Sequence, residues 1–140
     1  MPFKYRPYDA RLQHRAPASA AVTADATVDT ITQKAQTRTE YATKVYVEAI
    51  DVGDGDEKYE CVSELSNDKF TTVDAIASTY IQFGDATQLR SATDTAAGDY
   101  AEMFWSTEVN GVAYRYWRLV LVAAGTSPSI TYHAFSTLLE

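Results

Sequence analysis

Residues 99–122 read DYAEMFWSTEVNGVAYRYWRLVLV, and the fold turns on how this stretch is paired. At its centre Asn110-Gly111 is the dipeptide that most readily takes positive φ at both central positions of a two-residue type I′ turn. Two strands, 99–108 and 113–122, are therefore expected to fold back on each other. Counting outward from the turn sets Phe104 opposite Trp117 and Trp105 opposite Tyr116, so aromatic pairs should lock the register on both faces of one sheet. A third strand, 130–139, follows the connection 123–129, where Gly125 and Pro128 interrupt the ladder.

Upstream, 41–51 alternates cleanly, with Val45, Val47 and Ala49 on one face and Lys44, Tyr46 and Glu48 on the other. The acidic turn 51–57 is expected to return it into 58–65 as a hairpin partner. Residues 71–83 read as a strand broken near 75–78, residues 28–35 as a Thr-rich strand, and 86–98 as a polar loop. That makes seven or eight short strands separated by turn signals, with no convincing helix and no internal repeat of 20 to 50 residues. The expected class is all-β, a jelly-roll β-sandwich over 18–140. An immunoglobulin-like sandwich would instead show a Cys pair around its core Trp.

Composition narrows the functional classes. A chain of 140 residues forms one domain with a core that needs no covalent staples. Its single cysteine, Cys61, precludes an intrachain disulfide and reads as a small core residue. No run approaches the roughly 18 apolar residues of a membrane span, and no hydrophobic region follows the basic start, so neither a membrane partner nor a secretory signal is expected. Residues 1–16 carry Lys4, Arg6, Arg11 and Arg15 against Asp9, a net of +3, while eight basic and eighteen acidic side chains in 17–140 give −10. An acidic body argues against nucleic acid as a partner, because phosphate neutralisation needs a cationic surface.

Residues 1–17 hold three prolines and no sustained period, and read as an extended arm that would be ordered by lying on a partner. Its aromatic and basic side chains, Phe3, Lys4, Tyr5, Arg6, Tyr8, Arg11 and Arg15, are the candidate binding residues. A frayed terminus without a role is the plainer alternative.

Chemistry is hard to find elsewhere. Two histidines, His14 and His133, are too few for a cupin-type metal centre, and neither His133 nor Cys61 sits beside a nucleophile or base in a recognisable motif. The four carboxylates of 51–57 are oxygen ligands of the kind calcium takes, yet their spacing lacks the alternate-residue pattern and distant bidentate Glu of an EF-hand. Asp94, Asp99, Glu102 and Glu108 could pair as glycosidase acids do, although solvated strand faces produce such pairs freely. Arg115 and Arg118, set among Tyr114, Tyr116 and Trp117, point to opposite faces of one strand and form no single basic patch. No enzyme activity, cofactor or metal is expected.

The segments 66–70 (SNDKF), 98–100 (GDY), 114–119 (YRYWRL) and 124–130 (AGTSPSI) resemble the small capsid cement proteins of short-tailed bacteriophages, over most of the chain from about residue 40. What this resemblance implies is a jelly roll on the outer surface of an icosahedral virion, bound to the major capsid protein, as a homodimer bridging neighbouring capsid subunits at two-fold positions, without catalysis. Two alternatives stay open. One is a carbohydrate-binding module stacking sugars on Trp105, Tyr114 and Tyr116, and the other is a tail or head-completion component.

Overall fold

A computed structural model describes residues 12–27, 31–32, 38–71 and 76–139. In chain order the elements are β1 (Gln13–Arg15), β2 (Ala26–Thr27), β3 (Ile31–Thr32), β4 (Glu40–Ile50), β5 (Lys58–Ser66), β6 (Ile76–Gly84), α1 (Ala86–Leu89), β7 (Tyr100–Ser106), β8 (Glu108–Val109), β9 (Val112–Ala113), β10 (Tyr116–Ala124) and β11 (Ile130–Leu138). The all-β class is as expected. Every pairing is antiparallel, in one sheet ordered β1-β11-β4-β7 and a second ordered β2-β10-β5-β6, with β3 also on β10. The two sheets face each other across a core of Val45, Val47, Tyr59, Leu65, Trp117, Leu119, Leu121, Ile130 and Tyr132.

The Asn-Gly turn forms as read. Asn110 and Gly111 have φ of 51° and 80°, and Glu108 pairs with Ala113 and Val109 with Val112. The ladder then stops after those two pairs, and the strands on either side go to different sheets. Trp105 registers with Tyr41 on β4 and Trp117 with Leu65 on β5, so the expected cross-strand pairs Phe104/Trp117 and Trp105/Tyr116 do not form. The two tryptophans meet instead face to face across the sandwich, ring centroids 4.1 Å apart at 23°. Stacking there removes two large apolar faces from water in one contact, which a ladder on a single sheet would not achieve. The departure begins at Thr107, which is fully buried: its N–H donates to the Thr39 carbonyl and its own carbonyl accepts from Tyr114.

The same switch of sheet happens at 51–57. β5 is not the hairpin partner of β4; it lies between β10 and β6 in the opposite sheet. Buried Glu57 organises the crossing by accepting from the backbone N–H groups of Asp54 and Asp56 at 2.8 and 3.2 Å. The Tyr59 hydroxyl donates to the Asp51 carbonyl and accepts from Ser129 N–H, each at 2.8 Å, tying this crossing to the β10–β11 connection.

Two smaller readings need correction. Ala49 is exposed, because the β4–β11 register shifts between Thr131 and Tyr132 and the extra residue turns the end of β4 over, so that Ile50 packs on the core instead. Residues 86–98 contain a one-turn helix, α1, capped by Asp85, whose carboxylate accepts from Thr87 N–H at 2.8 Å.

Candidate functional site

The arm was expected to span residues 1–17, but its last part belongs to the sandwich. Gln13–Arg15 pair with β11 as an edge strand, and His14 is buried with Nε2 2.8 Å from Ser136 Oγ and its ring edge-on to Trp117 at 4.2 Å. Arg15 lies with its guanidinium 4.9 Å from the centre of the Tyr132 ring and donates to the Ala20 carbonyl. Of the candidate binding residues, Arg15 is thus engaged by its own fold. Phe3, Lys4, Tyr5, Arg6, Tyr8 and Arg11 lie outside the described residues.

Most of the residues weighed for catalysis from sequence have local partners of their own. Burial raises the Cys61 thiol pKa to about 12, which leaves no thiolate at neutral pH. His133 stacks on Tyr46 at 4.9 Å, with Nδ1 3.7 Å from a Glu48 carboxylate oxygen. Asp94 and Asp99 are used as local caps, on Ala86 N–H and Ala96 N–H, and Glu102 pairs with Lys44 at 3.7 Å. In the acidic turn Asp51 accepts from Gly53 N–H and Asp56 from Thr126, whose backbone N–H is the main reason the Asp56 pKa is lowered. Among the described residues no group of three or more His, Cys, Asp or Glu is placed to hold a metal ion. Arg118 bonds Glu64 at 2.7 Å and sits 4.1 Å over the Phe70 ring, a partner that sequence alone did not suggest.

Of the three aromatics weighed for sugar stacking, Trp105 and Tyr114 are buried and Tyr116 is half-buried. A different aromatic set is outside, on the outer face of the β1-β11-β4-β7 sheet. Cross-strand register places His133, Tyr46 and Tyr100 in one row, with Phe135, Lys44 and Glu102 in the next. Tyr46 contacts three of these rings, and the Lys44 ammonium lies 5.1 Å from the Tyr100 ring centre. Alternation along β4 foreshadows this face through Lys44 and Tyr46, but its other members come from strands more than 50 residues away.

On one flank β6 and β7 are the outermost strands of the two sheets. Val47 N–H donates to the Asp99 carbonyl and Thr107 N–H to the Thr39 carbonyl, so the odd-numbered residues between them bond β4. By antiparallel alternation the backbone groups of Tyr100, Glu102, Phe104 and Ser106 point outward. On β6 the matching bond from Asp85 N–H to the Glu57 carbonyl turns Gln82 and Tyr80 outward, while Gly84 is capped on both backbone groups by Thr95. Across the two strands there is a single charged residue, Glu102, and no proline. Tyr80, Tyr100 and Phe104 are each about 60% exposed. Edges with so little charge invite another chain, since their outward backbone groups find no strand partner among the described residues.

Searches of protein-family models and of curated proteins return no match to this chain.

Proposed function

We propose that the chain is a structural virion protein that decorates the outside of an icosahedral phage head and strengthens contacts between major capsid subunits. The observation that carries this reading is the β6–β7 flank, where among the described residues no element covers the two neighbouring strand edges and three exposed aromatics, and Glu102 is the one charge on the two strands. A molecule of this kind serves to make surfaces. The strand order β1-β11-β4-β7 against β2-β10-β5-β6 supports the finer reading of a jelly roll, in which successive strands alternate between sheets as β7, β10 and β11 do.

In this account the flank meets the major capsid protein or a second copy across a two-fold axis, which would cover both copies' edges at once. Phe3, Lys4, Tyr5, Arg6, Tyr8 and Arg11 act as an additional basic and aromatic grip. Co-sedimentation with empty heads assembled from the proposed partner, a major capsid protein, tests the proposal. Saturable pelleting of the chain with heads is expected, weakened at least about tenfold in the double variant Tyr80→Lys, Phe104→Lys, which sets buried charge against the interface. A wild-type chain that stays in the supernatant at every head concentration would overturn it.

A further inference from the structure

We infer that the cleft between the ends of β6 and β7 binds a neutral saccharide. The cleft holds about 320 Å³ and is lined by Gln82, Phe83, Thr95, Gly98, Asp99 and Tyr100. Its loop wall is fixed from several sides. Thr95 is buried and exchanges hydrogen bonds with both backbone groups of Gly84, Gly98 N–H donates to the Val47 carbonyl, and Asp99 bonds Ala96 through both its N–H and its carboxylate. A site held in this way loses little conformational freedom when it is filled.

The groups facing the cleft select the ligand class. Tyr100, 61% exposed, offers an aromatic ring to the C–H face of a pyranose. Only one Asp99 carboxylate oxygen accepts from Ala96 N–H, which leaves the other for a ligand hydroxyl. Gln82 donates through its amide nitrogen to Glu60 at 2.9 Å, leaving its carbonyl oxygen as a second acceptor. Acceptors beside an aromatic ring suit a polyol, whose hydroxyls donate and whose ring carbons stack. An anion would meet the Asp99 charge, and a cation would compete with Lys44, already over the Tyr100 ring and paired with Glu102. These are different residues from the buried Trp105 and Tyr114; Gln82 and Tyr100 are shared with the β6–β7 flank, so a head and a sugar would compete for them, and sugar binding is read on the free chain.

The test is amide chemical-shift mapping of the whole chain with maltose, cellobiose, lactose and chitobiose, each raised to about 20 mM, well above the millimolar Kd a shallow site reaches. At least one is expected to give saturable shifts at Gln82, Gly98 and Tyr100, with affinity reduced about tenfold in Tyr100→Ala and in Asp99→Asn. Asp99→Asn keeps an oxygen for Ala96 N–H, so it reads the ligand contact in a folded loop. No shift with any of the four sugars, or binding that both variants retain unchanged, would overturn the inference. A chain that pellets with heads yet ignores all four sugars would overturn this inference alone and leave the decoration reading intact.

Discussion

Glu57 shows how a single side chain can decide a chain crossing. It is fully buried and its two oxygens satisfy the N–H groups of Asp54 and Asp56, so Glu57→Ala should orphan both donors and cost about 2–4 kcal/mol in chemical denaturation. Nothing in DVGDGDE marks this glutamate as the buried one among four carboxylates, because the choice is made by where the chain turns back over it. His14 behaves similarly. Burial lowers its pKa from 6.5 to about 3, around a polar cluster in which Ser136 Oγ also bonds Thr43 Oγ1 and Thr43 accepts from Trp105 Nε1. A group whose pKa falls on folding is protonated first in the unfolded chain. The His14 contribution to stability is therefore level above pH 6.5 and declines below it, by up to about 1.4 kcal/mol per pH unit. His14→Gln is expected to flatten that decline between pH 6.5 and the ordinary Glu value of 4.5, as read by urea midpoints at each pH. Below that range Glu60, held down chiefly by Lys58, adds its own loss as it protonates.

At the scale of elements, turns were legible and partners were not. Asn110-Gly111 demands positive φ whatever surrounds it, and the structure supplies it. Which sheet each flanking strand joins is a different question, because β7 and β10 alternate equally well for any partner. The choice rests on Tyr41, stacked on Trp105 at 4.7 Å, and on Leu65, registered with Trp117, both more than 50 residues upstream. Two substitutions separate these levels. Gly111→Ala, at φ 80°, should cost about 1–2 kcal/mol in thermal unfolding and leave both sheets intact. Trp117→Ala empties the centre of the sandwich and should cost about 3–5 kcal/mol. Gly125 is strained in a second way: a Cβ there would lie 2.7 Å from the Asp56 carbonyl oxygen and 2.8 Å from Glu57 Cα, so Gly125→Ala should loosen the crossing beside Tyr59.

For the whole molecule, sequence conveyed the all-β class through period-two patterning, whereas the exposed flank emerged only from the strand order. An edge is a property of which strands come last in each sheet, and no local pattern in IASTYIQFG or YAEMFWS announces it. The boundary of the arm moved for a comparable reason: three residues are too few to show a period, yet they suffice to pair with β11. A chain lacking residues 1–11 keeps β1 and should stay folded, with head binding weakened, whereas removal through residue 16 should also expose Trp117 and lower the melting temperature. Hydrogen–deuterium exchange of the chain alone and bound to empty heads addresses the flank itself. Slowed exchange in peptides covering 76–84 and 100–106, including the outward amides of Tyr100, Glu102 and Phe104, is expected on binding. Heads that bind the chain while those peptides exchange as fast as in the free protein would contradict it.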